Sequence, residues 1–288
     1  MDKSSLKYFL DENNVLYPKT LIISHQDDLN EVQSKIRFPC VVKPSLRSPG
    51  FGKAYRVDQS DDLISLCRTK KPVHEKLIVQ EWVPGSSQDI FFCFVYMDAA
   101  STPKATFTGR KIRSYPNQTG IASCVEGCDD DFVLRESIRL FQSLNYRGFG
   151  STEFKRDPTT GRYSFIEFTA GRTDYNLEAA VANGIDLPFA GYCDALGISA
   201  SATSSAKRPV RWVDLSRDMK AILEERQRGR YGYLKMVWNM LQNLNPRNRF
   251  TLFAFDDPQP FFMYIWDRFC AIGRKMKRLK NFRQDEQD

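Results

Sequence analysis

The sequence predicts an α+β fold, and three observations lead to that class. Apolar runs short enough to be strands recur between residues 20 and 170, and several follow one another with no helix between them. That order favours antiparallel pairs over the regular strand–helix alternation of a parallel sheet. Helical periodicity occurs in separate segments, most clearly over 130–146. The apolar positions of that segment are Phe132, Leu134, Ile138, Phe141 and Leu144.

Up to residue 90 the predicted helices and strands are short. In chain order they are a helix over 6–15, a strand over 16–24, a helix over 27–36, strands over 38–45 and 53–57, a helix over 60–70 and a strand over 76–85. A loop with Pro49, Gly50 and Gly52 separates the second strand from the third. These elements predict a first lobe over about residues 20–80.

A second lobe is predicted over about residues 81–198, which completes one domain over 1–198. Its elements are strands over 89–98 and 104–116, a helix over 130–146 capped by Asp129 or Asp130, a hairpin over 151–172 and a helical segment over 175–197 broken by Gly184 and Pro188. The small polar stretch 199–209 predicts a linker, and 210–288 a mostly helical extension.

Composition places the chain among globular proteins with a real core, because 42% of its 288 residues are hydrophobic and 13% aromatic. Seven cysteines in no framework spacing favour reduced thiols and a cytoplasmic protein. Cys124 and Cys128 have no second Cys or His pair nearby, so a zinc site is not predicted. The start of the chain shows no secretory signal, and the longest apolar run, Ile90–Met97, is too short to span a bilayer.

The basic excess lies entirely in the C-terminal extension. Of the 42 Lys and Arg residues 18 fall within 207–288, against 10 of the 35 Asp and Glu residues, which gives this part a net charge of +8. Within it, Gln259–Arg283 joins an aromatic, apolar stretch to a cluster that includes Lys275, Lys277 and Arg278. This pattern can fit an anionic membrane surface at the inner face, but it favours a core-packing helix with a solvated basic end. No motif supports a nucleic-acid partner.

Two lysines flank the glycine-containing loop of the first lobe. Lys43 ends a buried strand and Lys53 opens the next. A flexible glycine backbone can approach a phosphate, and two ammonium groups can neutralise it. The alternative is a hairpin with two exposed lysines. The loop is not a Walker A motif, because no Gly-Lys-Ser/Thr precedes a helix.

Two further segments carry candidate ligand contacts. The strand that ends in Gln80, Glu81, Trp82 and Val83 can offer backbone groups to an adenine, with Asp89 placed for ribose hydroxyls; a plain strand with a solvated Glu is the alternative. The other segment is a basic strand, a contact for phosphate or carboxylate or else a solvated edge. Its cations are Arg110, Lys111 and Arg113.

The hairpin over 151–172 brings two carboxylates together. If it is symmetric about Thr160, Glu153 and Glu167 lie directly opposite each other on one face, where like charges destabilise a sheet. A cation between them removes that repulsion, and Mg²⁺ commonly takes one or two carboxylates plus substrate phosphates. Two alternatives remain: a register shifted by one residue, which separates the pair, or neighbouring Lys or Arg residues that neutralise it.

Taken in order, these pieces resemble the ATP-grasp superfamily. The matching stretches are VVKP with Lys43, the glycine loop before Lys53, QEWVPG, the basic strand GRKIR, and the late pair Glu153 and Glu167. The resemblance covers about Leu6 to Gly197. Within the superfamily, KATFTGRKIRSYPNQTG and IEFTAGRTDYN look like the carboxylate–amine ligase branch, which is often tied to surface polysaccharide or cell-wall synthesis.

The resemblance implies that two α+β lobes clasp ATP. Lys43 and Lys53 would contact its phosphates, Glu81 and Val83 the adenine, and Asp89 the ribose. The metal, Mg²⁺ or Mn²⁺, would be held by Glu153 and Glu167, with Thr169 at the position where the superfamily commonly has Asn. Arg172, with Lys111 and Arg113 of the basic strand, would meet the transferred phosphate or the substrate carboxylate.

The function that follows is an ATP-dependent carboxylate–amine ligase acting through an acyl phosphate on two small-molecule substrates. ATP-grasp enzymes normally carry an α/β domain of about 100 residues before the helix seen here at Leu6. We therefore expect a fragment, a subunit that takes this domain from a partner, or a divergent minimal form. The alternative function is a catalytically degenerate nucleotide-binding module.

Overall fold

The computed structural model describes residues 5–24, 28–46, 54–70, 76–198, 209–254, 256–267 and 270, and it is an α+β protein with two sheets. Its helices are α1 (Leu6–Glu12), α2 (Asp28–Lys35), α3 (Ser60–Lys70), α4 (Asp131–Ser143), α5 (Glu178–Ala182), α6 (Leu187–Ala195), α7 (Leu215–Gln227) and α8 (Tyr233–Asn243), and residues 259–267 are also helical. Its strands are β1 (Thr20–Ile23), β2 (Cys40–Pro44), β3 (Tyr55–Val57), β4 (Leu77–Glu81), β5 (Ile90–Met97), β6 (Pro103–Tyr115), β7 (Ile121–Gly127), β8 (Gly148–Arg156), β9 (Tyr163–Ala170), β10 (Arg211–Val213) and β11 (Arg249–Phe250).

The small sheet has four strands in the order β1-β4-β2-β3, all antiparallel. Its apolar side chains pack with those of α2 and α3 into one core that includes Val32, Val42, Leu63 and Val79. The predicted first lobe is therefore a sheet with one helical layer. Cys40 and Val42 of β2 enter this core, so the alternate residues Val41 and Lys43 face away from it.

The large sheet has seven strands in the order β11-β10-β7-β6-β5-β8-β9, and only β10 and β11 pair in parallel. Its interior strand β5 is buried throughout, and its side chains alternate between two cores. Phe91, Cys93, Val95 and Met97 pack with α1 and α4, and the alternate residues pack with α5 and α6. Helices thus cover both faces of this sheet.

Helix α4 faces the sheet with a different set of residues from the one predicted. Asp130 caps it, because its carboxylate accepts a hydrogen bond from the Val133 N–H at 3.0 Å. Val133, Ser137, Leu140 and Phe141 are its buried residues. Phe132 and Leu144, predicted to face inward, are about two-fifths exposed. The buried face of α4 includes Ser137, and a hydrophobic pattern cannot predict a buried serine.

The hairpin of β8 and β9 contains a β-bulge that decides where its carboxylates point. Glu153 pairs with Glu167, as the symmetric hairpin predicted, whereas Phe154 pairs with Phe165, which leaves Ile166 as an extra residue. Because of this insertion, Phe165 and Phe168 both enter the core beneath α4. The bulge therefore lets Glu167 face the same side as Glu153 without exposing either phenylalanine.

The extension after residue 209 is mainly helical and is joined to the large sheet by two short strands. Trp212 on β10 pairs with Val125 on β7 and is buried. Helix α7 packs on β6 and β7, and α8 packs on α7. The division into domains at 199–209 stays a prediction, and most of that stretch lies outside the described residues.

The cysteines are all unpaired. Burial raises the pKa of the Cys124 thiol and of the Cys128 thiol to about 12. Among the helices that the structure describes, none is both long and apolar enough to cross a bilayer.

Candidate active site

An open cleft with about 720 Å³ of empty space lies between the small sheet and the end of the large sheet. Both lobes contribute to it, and so does the turn 118–120 between β6 and β7. The charged and polar side chains that line it are Lys43, Gln80, Glu81, Lys111, Gln118, Thr119, Glu153, Lys155 and Glu167. Its apolar walls are Pro18, Val41, Ala54, Trp82, Val83, Ile90 and Ile166.

Lys43 joins the two lobes across this cleft. Its Nζ donates to Gln80 Oε1 and to the carbonyl oxygen of Ile166, both at 3.2 Å. Gln80 is fixed in turn, since its Nε2 donates to Thr20 Oγ1 at 3.1 Å. The strand end therefore delivers this ammonium group into the cleft, beside the bulge that orients Glu167.

The segment after β4 has its backbone partly committed to the small lobe. The Glu81 N–H donates to the Lys19 carbonyl at 2.9 Å, and the Trp82 N–H donates to the Pro39 carbonyl at 3.0 Å. Within the described residues the Val83 N–H has no hydrogen-bond partner. This geometry leaves Val83 able to donate to a ligand at the mouth of the cleft.

Two cations flank the Trp82 ring. Lys155 Nζ lies 4.0 Å and Arg56 Cζ 4.8 Å from the ring centroid. Arg56 also donates to Gln118 Oε1 at 3.1 Å, which connects β3 to the turn of the large lobe. This wall of the cleft is therefore aromatic and positively charged.

The facing glutamates line the cleft, and Lys111 on β6 contacts one of them. Lys111 Nζ is 2.6 Å from Glu153 Oε2, and both side chains are more than nine-tenths buried. The predicted neutralisation by a neighbouring cation is thus present for Glu153. Glu167 lines the same cleft directly across the ladder.

The donor set fits one hard cation shared with phosphate oxygens. In the part of the chain that the structure describes, no group of three or more His, Cys, Asp and Glu side chains is arranged to hold a metal ion. Two carboxylates suffice for Mg²⁺ when phosphates supply further oxygens. Thr169 lies two residues beyond Glu167 on β9, hence on the same face.

Lys155 is a cleft residue that the sequence reasoning missed. It lies two residues after Glu153 on a regular part of β8, so alternation alone places both on one face. Burial is the main cause that lowers the pKa of Lys155 to about 8; Asp89 opposes this shift, and Arg56 and Lys111 add to it. A bound anion would restore the charged form, so this lysine is poised to meet one.

We expect Lys155→Met to stabilise the apo protein near pH 7 and to weaken nucleotide binding about 10-fold. Lowering a lysine pKa from 10.5 to about 8 disfavours the charged form by about 3 kcal/mol, and the Trp82 contact returns about 0.5–2 kcal/mol. A net gain of about 1–2 kcal/mol remains for the variant. Urea unfolding and ATP titration measure the two effects.

The pH dependence gives this prediction its sign. Between about pH 8 and 10.5 the unfolded chain holds the Lys155 proton and the folded protein does not, so the stability contribution of Lys155 rises with pH in that window. The Met variant lacks this rise, and the two proteins converge in alkali. Lys104→Met, which removes a half-exposed cation paired with Asp98, serves as the control. If Lys155→Met were less stable than the wild type at pH 7, the account of Lys155 as a cation destabilised by burial would be contradicted.

Besides Arg113, three predicted site residues that the structure describes are not among the residues that line the cleft: Asp89, Thr169 and Arg172. Asp89 accepts hydrogen bonds from the Ser86 N–H at 2.7 Å and the Ser86 hydroxyl at 3.1 Å, which closes the turn before β5. Arg172 is exposed in the loop after β9, and its Nη1 lies 3.8 Å from Asp174. Lys53 lies outside the described residues. Their proposed ligand contacts remain predictions.

Arg113 requires a correction, because its side chain points away from the cleft. Its Nη2 lies 2.8 Å from Asp218 Oδ2 and 3.0 Å from Asn243 Oδ1, and its Nη1 donates to Asn239 Oδ1 at 2.7 Å. Burial opposes its charge, yet Asp218 raises the pKa of Arg113 above its ordinary value. Arg113 thus anchors α7 and α8 to β6. The register of β6 and β7 shifts between Lys111 and Arg113, which the alternation argument did not foresee.

A second, wider cavity with about 1340 Å³ of empty space adjoins the cleft and shares Ala54, Thr119 and Gly120 with it. The C-terminal extension forms one wall, from which Arg217 and Lys220 supply positive charge.

Arg217 is held only loosely. Its Cζ lies 5.1 Å from the centroid of the Tyr175 ring, and its Nη1 is 3.5 Å from Asp214 Oδ2. Within the described residues that Nη1 makes no hydrogen bond.

Comparison with known proteins identifies the fold. No family model matches the chain. It is 25% identical to the D-aspartate ligase of Enterococcus faecium strain Aus0004 over 203 residues, which cover 65% of this chain and 48% of the ligase. It is 21% identical to the D-alanine–D-alanine ligase of Pseudomonas fluorescens strain Pf0-1 over 220 residues, which cover 73% of this chain and 66% of the ligase.

A solved structure superposes on most of this chain. The ADP complex of N5-carboxyaminoimidazole ribonucleotide synthetase superposes with a TM-score of 0.64 at 13% identity, covering 79% of this chain and 59% of that one. The chain shares the fold of this synthetase, the ATP-grasp fold, as the order of its motifs predicted. It spans about half to two thirds of the length of these relatives.

Proposed function

We propose that the protein is an ATP-dependent carbon–nitrogen ligase that joins a carboxylate to an amine. The observation that carries the proposal is the facing pair Glu153 and Glu167, set among Lys43, Lys111 and Lys155 in a cleft between two lobes. Carboxylates for a cation beside lysines for phosphates are the groups that phosphoryl transfer uses. The two curated relatives are both ligases by name.

ATP is assigned to this cleft. The Glu81 carbonyl and the Val83 N–H would meet the adenine edge, with Trp82 forming part of the wall. Lys43 and Lys155 would contact the phosphates, together with Lys53 as the resemblance implies. Lys43, Glu81, Trp82, Val83 and Lys155 line the cleft, and Lys53 lies outside the described residues.

Mg²⁺, or Mn²⁺ in its place, is assigned to Glu153 and Glu167, with Thr169 as a neutral third donor. When bound, the metal would neutralise phosphate charge and orient the oxygens. Glu153 is already 2.6 Å from the Lys111 ammonium group. Lys111 would then share this carboxylate with the cation and hold it in one orientation.

The proposed reaction needs no nucleophile from the protein. A substrate carboxylate oxygen attacks the γ-phosphorus of ATP, the bond to the bridging oxygen breaks, and ADP leaves. A neutral amine then attacks the acyl carbon, the carbon–oxygen bond to phosphate breaks, and the amide forms after the nitrogen loses a proton. The chain holds the reactants together and neutralises charge, which is where the rate gain arises.

The second cavity is proposed as the site of the carboxylate substrate. It opens onto the turn 118–120 that lines the nucleotide cleft. Arg217 and Lys220 would bind an anionic group of the substrate that does not react. An acidic amino acid meets this requirement, and one curated relative is a D-aspartate ligase by name.

Hydroxylamine trapping tests the proposal directly. With Mg²⁺-ATP, D- or L-aspartate and hydroxylamine as the amine, we expect hydroxamate and ADP in equal amounts. Aspartate-independent ADP release, or ATP that raises the melting temperature without any ADP forming with either amino acid, would contradict the ligase assignment.

Arg217→Gln is expected to raise the KM for aspartate about 10-fold or more while leaving ATP affinity within twofold. The reason is that a charged hydrogen bond to a carboxylate contributes roughly 1.5–3 kcal/mol. Arg228→Gln is the matched control, because Arg228 pairs with Glu224 and does not line the cavity. Equal KM changes in the two variants would remove the cavity assignment.

A catalytically degenerate nucleotide-binding module is the second candidate. It is favoured by Thr169 at the third metal position and by the ion pair that already neutralises Glu153. The hydroxylamine experiment separates the two, since this module binds ATP without turnover.

Cellular role and partners are part of the same proposal. A role in cell-wall or surface-polysaccharide synthesis follows from the ligase branch, together with a cytoplasmic location. The partner subunit that the resemblance implies is part of the proposal, and co-purification with the full chain tests it. Peripheral membrane contact through Gln259–Arg283 was expected from the sequence, and most of that segment lies outside the described residues.

A further inference from the structure

Helix α8 buries polar residues and exposes apolar ones, which is the reverse of the usual arrangement for a surface helix. Its buried residues are Asn239 and Asn243, which bind the Arg113–Asp218 ion pair beneath it. Its apolar residues point outward. Leu234, Val237, Trp238 and Leu241 follow the spacing of one helical face and are 89%, 47%, 61% and 56% exposed.

The exposed stripe is too regular to be scattered surface residues. Single exposed leucines are ordinary, but a contiguous apolar patch marks an interaction surface. Tyr233 before the stripe and Leu244 after it are also exposed, at 69% and 68%. The inward asparagines fix the rotation of the helix, so the stripe cannot turn inward without breaking buried hydrogen bonds.

The segment that carries the stripe has charges of one sign. Residues 231–254 contain no Asp or Glu, while Lys235, Arg247 and Arg249 are exposed. An apolar helical face with Trp and a basic border is suited to the surface of an anionic membrane.

A second copy of the chain fits this surface less well. A two-fold interface pairs a patch with itself, which would set the same basic residues of the two copies close to one another. Like charges brought together oppose such pairing. Residues 231–254 contain no Asp or Glu that could offset this repulsion.

We propose that α8 docks the protein on an anionic lipid surface, with Leu234, Val237, Trp238 and Leu241 entering the headgroup region. This site is distinct from the active-site cleft and does not depend on the ligase assignment. It also differs from the basic tail, since the stripe lies on residues that the tail does not contain.

Flotation of the full chain with vesicles tests the proposal. With vesicles of phosphatidylcholine and 30% phosphatidylglycerol we expect binding that falls at high salt, and about 10-fold weaker binding with phosphatidylcholine alone. The variant Leu234→Glu/Leu241→Glu is expected to lose at least 10-fold in binding. Leu16→Glu/Leu144→Glu adds the same charge at two other exposed leucines and is expected to float like the wild type.

Tryptophan emission supplies a second readout. A blue shift on adding anionic vesicles is expected in the wild type and largely absent in Trp238→Phe. If the variant Leu234→Glu/Leu241→Glu floated at the wild-type level, the proposal would be overturned. Membrane binding by the basic tail alone would give that result. A second result would also overturn the proposal: the wild type sediments as a dimer, the double variant sediments as a monomer, and neither protein binds vesicles.

Discussion

Glu167→Gln is expected to reduce magnesium-dependent ADP formation by about 100-fold or more. The substitution keeps the shape of the side chain and removes the charge that faces Glu153 across the ladder. Loss of one group that stabilises transferring charge typically costs 10²–10³ in rate. Initial rates of ADP release with aspartate and hydroxylamine, measured across a Mg²⁺ titration, give the effect.

The metal dependence is the sharper part of this prediction. The apparent affinity for Mg²⁺ is expected to fall together with the rate, and raising Mg²⁺ should recover part of it. Glu136→Gln is a suitable control, because Glu136 pairs with Arg139 on α4 and lies outside the cleft. Wild-type turnover and an unchanged Mg²⁺ dependence in the Glu167 variant would remove the metal assignment.

Arg113→Met is expected to lower the stability of the protein by about 3–5 kcal/mol, because it leaves the Asp218 carboxylate buried without its partner. For a chain of this length that corresponds to a fall in melting temperature of roughly 10 °C. At temperatures where the variant is folded, ATP affinity is expected to stay within twofold of the wild type. Calorimetry and ATP titration measure the two quantities.

A double substitution distinguishes the ion pair from simple loss of packing. Arg113→Met/Asp218→Leu removes both charges and is expected to recover part of the lost stability. Arg110→Met, which removes a partly exposed partner of Glu126, is expected to cost less than about 1 kcal/mol. If Arg113→Met instead left stability intact and abolished nucleotide binding, Arg113 would belong to the cleft after all.

The sequence was enough to predict the hairpin pair because its turn residues and its alternation agree. The local symmetry about Thr160 placed Glu153 opposite Glu167, and the structure has that pair. The bulge at Ile166 was not predictable, since it arises from the requirement that Phe165 and Phe168 enter the same core. That requirement becomes visible only when α4 is in place.

Lys155 and Arg113 show opposite failures of the same reasoning. Lys155 was overlooked although simple alternation from Glu153 places it in the cleft. Arg113 is predicted as a site residue because it is basic and close to Lys111 in sequence. In the structure its side chain instead binds Asp218, which lies 105 positions later. A partner so distant in sequence, like the strands β10 and β11 of the extension, leaves no local signal.

Photolabelling with 8-azido-ATP in the presence of Mg²⁺ tests most directly whether the nucleotide occupies the cleft between the lobes. We expect covalent label on peptides that contain residues 80–83 or 118–120, removed by excess ATP and reduced in Lys155→Met. Label confined to other surfaces, or label on these peptides that excess ATP does not displace, would contradict the assignment of this cleft as the ATP site.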